Sequence, residues 1–349
     1  MKTDRMDPNM MANVEADESF LFRSVLAAPF CVHGLRKPEP DAPFFHRMPR
    51  NIAEQVNPGV ARLYGFSAGG RIRFRTDSTR IGVKACVPEM DSYPTFSSMM
   101  MAGMDLYLDG EFKGLFQPPA DRLENYTAVL ETKQKKMQDV LIHLPPYGRI
   151  DSLEIGLDAD AQLLSPEDYK ITTPVVFYGS SITHGATTSR PGTSYPNLLS
   201  RRLNFDYLNL GFAGNALGEQ AMAAFIAGLP KTALVCEYDH NSPNAEFLRK
   251  THEPFIARIR QESPELPIVL MSRPRARFND EEEVKRREVV LETYENARAS
   301  GDNNIYFVDG AGLLNIFGGD NGTVDTIHPN DLGFTCIAKA LGDVLEKIL

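Results

Sequence analysis

The chain has 349 residues and a net charge of -9, with 46 acidic and 37 basic side chains. Its length exceeds that of most single domains and predicts two domains. An acidic balance disfavours nucleic acid and anionic membranes as main partners, because both select clustered Lys and Arg. No apolar run is long enough to span a bilayer, and residues 1–20 lack the apolar core of a secretory signal. We therefore expect a cytoplasmic protein with neither nucleic-acid nor membrane partners.

The first half of the chain shows the period-two pattern of half-buried antiparallel strands. Polar and apolar side chains alternate along residues 71–76 and again along residues 81–85. Asp109-Gly110 lies between apolar residues, which is a strong signal for a β-hairpin. Residues 140–144 and 153–157 are further predicted strands. Strands separated by turns in this way predict a β-sandwich or jelly roll.

The second half changes to short apolar strands that alternate with longer helical segments. The predicted strands are residues 175–178, 207–210, 233–237, 268–271 and 305–308, and the predicted helices lie near residues 195–203, 217–228, 245–261, 281–299 and 332–348. Strands joined by helical crossovers form a parallel sheet that is covered on both faces. We therefore predict a flexible N-terminus (residues 1–18), a β-sandwich domain (19–164) and an α/β domain with a five-stranded parallel sheet (165–349).

The residues that follow the five α/β strands indicate where chemistry takes place, because ligands of an open parallel sheet bind beyond the carboxyl ends of its strands. These segments are Gly179-Ser180-Ser181, GFAGN (211–215), YDHN (238–241), Ser272-Arg273-Pro274 and, before the last helix, DTIHP (325–329). Together they contain serines, a glycine with accessible backbone, an asparagine, and an Asp and a His three residues apart. Those are the parts of an acyl-transfer site.

Each part has a defined task in acyl transfer. A serine hydroxyl becomes nucleophilic when an imidazole accepts its proton and a carboxylate orients that imidazole. Asp325 and His328 are close enough in one loop to form that pair. The backbone N–H groups of Ser181 and Gly214 and the side-chain amide of Asn241 are the candidate donors to an oxyanion.

The segments GSSITHG, NLGFAGN, EYDHN and DTIHP, in this order and in these strand contexts, resemble the SGNH (GDSL) hydrolase superfamily. The resemblance covers roughly residues 174–349 and implies a flavodoxin-like three-layer domain. It assigns the catalytic serine to Ser181, the oxyanion residues to Gly214 and Asn241, and the D-x-x-H pair to Asp325 and His328.

The first half extends this resemblance to two-domain, carbohydrate-esterase-like members with an N-terminal jelly roll. FRTDS (74–78) and DLYLDG (105–110) are similar in style to such members. Two departures stand out: Ser180 occupies a position where the family often has Asp, and YDHN (238–241) stands where many members have G-x-N-D. Both changes leave the proposed triad and oxyanion residues in place and bear on the shape of the substrate pocket.

Several candidates also have simpler structural interpretations. Ser180 and Ser181 are typical helix N-caps, and for Ser180 this role is favoured. Asp309 competes with Asp325 as the acid of the triad, although the short spacing to His328 favours Asp325.

Three further side chains near this sheet edge, His184, His240 and Arg273, are candidate substrate contacts. The histidines belong to no HxxxH or HxH pattern, so we predict no metal. Arg273 could instead bridge loops.

The resemblance implies a serine esterase that hydrolyses short acyl esters, chiefly O-acetyl esters of carbohydrates, and needs no cofactor. Its partner is then a small-molecule or oligosaccharide ester, and a homo-oligomer is left open. The alternatives are an acyltransferase with the same triad, which would form product only with an added alcohol, and a non-catalytic glycan-binding protein. Binding alone does not require the triad and the oxyanion residues together, which argues against the last alternative.

Overall fold

The computed structural model describes residues 17, 19–278 and 280–349, so the predicted flexible N-terminus (1–18) lies outside the described residues except for Asp17. These residues form two compact units. The first contains the described residues up to His46, with Gly65–Asp168 and Arg190–Gly192, and the second contains Arg47–Tyr64, Tyr169–Ser189 and Thr193–Leu349.

The elements up to residue 164 are mostly strands. In chain order they are β1 (Phe20–Ser24), β2 (Cys31–His33), α1 (Arg50–Val56), α2 (Pro58–Leu63), β3 (Arg71–Thr76), β4 (Arg80–Cys86), β5 (Glu89–Met90), α3 (Ser98–Met101), β6 (Met104–Leu108), β7 (Glu111–Phe116), β8 (Asn125–Glu131), β9 (Gln138–His143), β10 (Gly148–Arg149), β11 (Ser152–Asp158) and β12 (Leu163–Leu164).

From residue 171 onwards, strands and helices alternate. In chain order they are β13 (Ile171–Gly179), α4 (Ser181–His184), α5 (Tyr195–Leu203), β14 (Phe205–Gly211), α6 (Gln220–Gly228), β15 (Ala233–Glu237), α7 (Ala245–Glu262), β16 (Ile268–Met271), α8 (Glu281–Ala299), β17 (Ile305–Val308) and α9 (Asp331–Ile348), with short 3-10 turns at Pro191–Thr193 and Asp239–Asn241.

The first unit is built on two antiparallel sheets. One has the strand order β1-β11-β4-β8, and the other has the order β12-β3-β9-β6-β7 with β2 paired to β3. Buried apolar side chains of both sheets form one core, to which Phe74 and Ile142 contribute from one sheet and Val83 and Ile155 from the other. The β-sandwich predicted from the alternating pattern is confirmed.

The hairpin between β6 and β7 forms at the predicted Asp-Gly turn. Asp109 has a φ of 51° and Gly110 a φ of 83°. Two consecutive positive φ angles define the type I′ turn, whose twist matches that of the flanking strands and which favours Asp-Gly.

The second unit contains a five-stranded parallel sheet with the order β14-β13-β15-β16-β17, as predicted for a flavodoxin-like domain. Successive side chains of a strand point to opposite faces. In β13, Phe177 accordingly packs against Tyr195 of α5, with ring centroids 5.6 Å apart, and Tyr178 stacks on Phe255 of α7 at 4.9 Å. Helices therefore cover both faces of the sheet.

Residues 47–64, which carry α1 and α2, belong to the second unit although they lie within the range predicted for the β-sandwich domain. The predicted boundary between residues 164 and 165 stays a prediction. Among the described residues, no helix combines the length and the apolar character that a membrane crossing requires.

Candidate active site

The strand order of the parallel sheet places the expected ligand site at the carboxyl ends of β13 and β15. In the order 2-1-3-4-5 the chain leaves the first and third strands in opposite directions, and the crevice that opens there is the usual ligand site. The segment after β13 begins with Ser180 and Ser181, and the segment after β15 contains Asn241.

Ser180 is the N-cap of α4. Its Oγ accepts a hydrogen bond from the Ile182 N–H at 3.0 Å and donates to Glu237 Oε2 at 2.8 Å. The residue is completely buried. The structure thus gives Ser180 the capping geometry and leaves Ser181 as the first residue of the helix.

Two glycines let α4 lie directly on the ends of β13 and β14. A Cβ atom at Gly179 would lie 2.1 Å from Thr183 Oγ1, and one at Gly211 would lie 2.3 Å from the backbone nitrogen of His184. Real Cβ atoms do not approach so closely, so larger residues would push the helix away from the sheet. The glycines therefore set the position of Ser181 above the strand ends.

Ser181, His328 and Asp325 form a hydrogen-bonded series. Ser181 Oγ lies 2.9 Å from His328 Nε2, and His328 Nδ1 lies 2.7 Å from Asp325 Oδ2. With the Nδ1 proton directed at the carboxylate, Nε2 accepts the proton of the serine hydroxyl. Ser181 is 9% exposed, and the side chains of His328 and Asp325 are 25% and 32% exposed.

The loop before α9 holds the Asp325 carboxylate in its ionised form. Burial raises the pKa of this carboxyl, but hydrogen bonds from the His328 N–H at 2.7 Å, from the His328 ring and from the Ile327 N–H at 3.1 Å outweigh burial and lower it overall. The rival acid, Asp309, accepts hydrogen bonds from Arg287 instead, with Arg287 Nε at 2.9 Å.

The other predicted oxyanion residues lie on loops after β14 and β15. Gly214 has a φ of 69°, which favours glycine, and a Cβ there would meet no atom within 4 Å. In the described part of the chain, the N–H groups of Ser181 and Gly214 donate to no protein acceptor. Asn241 donates from Nδ2 to the Phe212 carbonyl at 3.3 Å, which ties it to the loop that carries Gly214.

The three candidate substrate contacts are engaged within the protein. His184 is buried in α4, and the Nδ1 of His240 lies 3.1 Å from Glu237 Oε1. Arg273 donates to Glu283 at 3.0 Å, and burial lowers the pKa of its guanidinium. Their roles towards a substrate stay predictions.

Glu237, Asp239 and His240 form a compact buried group whose ligand-type atoms all lie within 4.8 Å of one another, a separation that a metal ion could bridge. Burial raises the pKa of the Glu237 carboxyl, while His240, Ser180 and Thr183 oppose this. Hydrogen bonds from Ser180 and Thr183 already engage one of its two oxygens.

Arg47 and Asn57, far away in sequence, support the loop after β14. The Arg47 guanidinium donates to the carbonyl of Gly211 at 2.5 Å, and its carbon lies 4.4 Å from the centre of the Phe212 ring. Asn57 donates to the Asn215 carbonyl at 3.0 Å.

The sequence reasoning missed these two residues. Asn57-Pro58 is a recognisable N-cap followed by proline at the first helical position and could have revealed α2. No local signal marks Arg47, because its role depends on carbonyls more than 160 positions away, for example 164 for Gly211.

Two families match the chain. The GDSL-like lipase/acylhydrolase family matches residues 172–346, and the family described as the N-terminus of SGNH hydrolase-type esterases matches residues 22–163. No curated protein matches the chain.

Among solved structures, a Bacteroides ovatus protein assigned as a GDSL-like lipase is 30% identical, with a TM-score of 0.84 over 94% of this chain and 98% of that one. A salicylyl-acyltransferase from a tetracycline biosynthetic pathway is 22% identical, with a TM-score of 0.79 over 96% of this chain and 99% of that one. A family two carbohydrate esterase from Clostridium thermocellum, solved with cellohexaose, is 14% identical, with a TM-score of 0.61 over 80% and 92% of the two chains. The last two similarities are similarities of fold.

Proposed function

This chain belongs to the GDSL-like lipase/acylhydrolase family, and from that membership we propose that it is a serine esterase that hydrolyses short acyl esters of carbohydrates, chiefly O-acetyl esters. The observation that carries the proposal is the series from Asp325 through His328 to Ser181, with successive distances of 2.7 and 2.9 Å. Those are the distances that proton transfer between nucleophile and base requires.

In the first half of the proposed reaction, Ser181 Oγ attacks the ester carbonyl and its proton passes to His328 Nε2. The imidazole then carries a positive charge, which the Asp325 carboxylate 2.7 Å from Nδ1 stabilises. Because the pKa of Asp325 is lowered, the carboxylate is ionised at neutral pH and can do this.

The negative charge that develops on the carbonyl oxygen needs donors that are already in position. The N–H groups of Ser181 and Gly214 have no acceptor among the described residues and are the proposed backbone donors, with the Asn241 amide as the third. Loss of one such donor typically costs about 3 kcal/mol of transition-state stabilisation.

The ester C–O bond to the sugar then breaks as His328 gives its proton to the sugar oxygen, which leaves as a hydroxyl, and the acyl group stays on Ser181. A water molecule that has lost a proton to His328 then attacks the acyl-enzyme, and acetate leaves as the serine regains its proton. Residues of this chain carry every proton transfer in this scheme.

The substrate class is supported by the likeness of the fold to a carbohydrate esterase that was solved with cellohexaose. The second candidate function is acyl transfer to an alcohol, which is favoured by the likeness to a salicylyl-acyltransferase over 96% of this chain. The same triad would serve both reactions, and the difference lies in whether water or an acceptor alcohol attacks the acyl-enzyme.

The test measures acetate release from acetylated mono- and oligosaccharides and from p-nitrophenyl acetate, with wild type and Ser181→Ala side by side. We expect release from the sugars that is absent in the variant. Cleavage of only the activated ester would refute the carbohydrate substrate and keep the triad. Product that forms only when an alcohol acceptor is added would identify the acyltransferase, and equal activity of the two proteins would refute the proposed nucleophile.

A further inference from the structure

Glu237 is the last residue of β15, and its side chain is completely buried. Its Oε2 accepts hydrogen bonds from the hydroxyls of Ser180, at 2.8 Å, and Thr183, at 3.0 Å. Its backbone carbonyl accepts a further bond from the Ser180 N–H at 2.9 Å. One carboxyl oxygen and one carbonyl therefore hold the start of α4, the segment that presents Ser181.

The other oxygen of the same carboxyl faces the segment that presents Asn241. Glu237 Oε1 lies 3.1 Å from Nδ1 of His240, the residue that precedes Asn241 in the 3-10 turn, in a close contact that lies outside hydrogen-bond geometry. Asp239, in the same turn, accepts a bond from the His240 N–H at 3.0 Å and one from the Arg273 N–H at 3.1 Å. Asp239 thus ties the start of the turn to the segment after β16, and Glu237 contacts both this turn and α4.

We propose that Glu237 is the positioning residue of the oxyanion hole, because its single carboxyl sets the distance between the Ser181 N–H and the Asn241 amide. The inference deepens the proposed esterase function, and its catalytic part rests on that function. The two donors belong to segments that are distant along the chain, and the hydrogen bond from Ser180 to Glu237 connects these segments across 57 residues. A displacement of about 1 Å in such a constellation can lower the rate about 100-fold, so a link of this kind has a direct effect on turnover.

A metal ion is the competing explanation for this buried group, because the atoms of Glu237, Asp239 and His240 lie within 4.8 Å of one another. A metal would make the carboxyl a ligand and would make the linking contact depend on the ion. Prolonged dialysis against a chelator separates the two explanations. Linkage by the direct contacts of the carboxyl predicts unchanged exchange and unchanged turnover, whereas losses that added Zn²⁺, Mn²⁺ or Mg²⁺ reverse would overturn the proposal.

The central variants are Glu237→Leu, which removes both oxygens, and Glu237→Gln, which keeps a polar atom at each position. Asp302→Leu is the matched control. Asp302 is also a mostly buried carboxylate of the second unit, with bonds from Arg260 Nη2 and the Asn304 N–H, both at 2.8 Å. It precedes β17 and therefore lies at the amino end of the sheet, opposite the triad.

Hydrogen exchange of backbone amides, read by mass spectrometry, tests the link without any substrate. In Glu237→Leu we expect at least tenfold faster exchange in two peptides, one that covers residues 180–186 and one that covers residues 239–242. Glu237→Gln should restore slow exchange in both peptides, and Asp302→Leu should leave both unchanged. A change in only one peptide would overturn the proposal, since Glu237 would then hold one segment rather than link two.

Kinetics test the catalytic consequence. We expect kcat of Glu237→Leu to fall about 100-fold with KM within about threefold of wild type, and Glu237→Gln to regain at least tenfold. Ser180→Ala and His240→Ala should each lower kcat in the wild-type background and cause little further loss in the Glu237→Leu background, because the contact with Glu237 that each removes is already gone.

The outcomes distinguish a failure of the positioning role of Glu237 from a failure of the proposed esterase function. Exchange that rises in both peptides in a protein that cleaves no ester would support the link and refute the esterase. An active wild type whose Glu237→Leu variant is folded and keeps full kcat would refute the positioning role. If Glu237→Leu does not fold, Glu237→Gln and the pair Ser180→Ala and His240→Ala decide, and additive effects of that pair in both exchange and kcat would overturn the proposal.

Discussion

Ser180→Ala and Ser181→Ala remove the same hydroxyl group at adjacent positions, yet we expect opposite effects on stability and turnover. Ser181 Oγ is hydrogen-bonded to a His328 ring that is 25% exposed, so water can replace the lost partner. The change in stability should therefore stay within about 0.5 kcal/mol. Turnover should fall by roughly 10⁴- to 10⁶-fold, because the nucleophile is gone.

Ser180 presents the reverse case. Its hydroxyl is completely buried, caps α4 through the Ile182 N–H at 3.0 Å and donates to Glu237 at 2.8 Å. Loss of an N-cap costs about 1 kcal/mol, and the buried carboxyl that loses one of its donors adds about 1 kcal/mol, since Thr183 remains bonded to it. A total of about 2 kcal/mol corresponds to a fall in Tm of roughly 4–8 °C for a unit of this size. We expect kcat to fall only about tenfold, because the nucleophile stays in place.

The assay compares thermal unfolding, followed by circular dichroism, with steady-state cleavage of p-nitrophenyl acetate for the three proteins. An inactive Ser180→Ala beside an active Ser181→Ala would show that the family register is wrong by one residue. A Ser181→Ala protein that melts several degrees lower would show that its hydroxyl has a structural role that the contacts do not reveal.

Three further predictions concern the acid of the triad, the loop after β14 and the helix layer. Asp325→Asn keeps an oxygen for the two backbone N–H bonds but favours the wrong imidazole tautomer. We therefore expect kcat to fall about 10³- to 10⁴-fold with an unchanged Tm. A kcat within tenfold of wild type would instead favour Asp309 as the acid of the triad. Arg47→Met removes the guanidinium that donates to the carbonyls of Gly211 and Leu63. Urea titrations should show a free energy of unfolding that is about 2–4 kcal/mol lower. A loss below about 0.5 kcal/mol would refute the role of Arg47 in supporting the loop after β14. Burial lowers the pKa of the His252 imidazole to about 4 from 6.5. A group whose pKa is lower in the folded than in the unfolded state contributes stability above the unfolded pKa, and that stability is lost as the pH falls. Between pH 7 and 4.5 wild type should therefore lose roughly 2.5 kcal/mol more than His252→Gln, and equal losses would contradict the buried neutral imidazole.

The sequence alone determined the strands and helices of both units wherever a local pattern of apolar and polar residues marks them. The five strands of the parallel sheet were recognised because strands covered on both faces are continuous apolar runs. The observed bounds of β15, β16 and β17 agree with the prediction, whereas β13 (Ile171–Gly179) and β14 (Phe205–Gly211) extend beyond the predicted residues 175–178 and 207–210. The helix predicted from residue 217 begins at Gln220, because Gly218 has a φ of 74° and Glu219 is an extended N-cap. A positive φ is a property of the folded backbone and leaves no periodicity to detect.

The same distinction holds for the candidate site. Motifs at strand ends were enough to select Ser180 or Ser181, Asp325 and His328 as candidates, because the carboxyl ends of parallel strands meet at one edge of the sheet. The resemblance to the SGNH superfamily then assigned the catalytic role to Ser181. Tertiary structure alone decided which buried charges surround them. The bond from Arg47 to Gly211 spans 164 residues and that from Ser180 to Glu237 spans 57, so neither follows from spacing along the chain. Buried polar groups must find partners wherever the fold brings them, and that requirement acts only once the chain is packed.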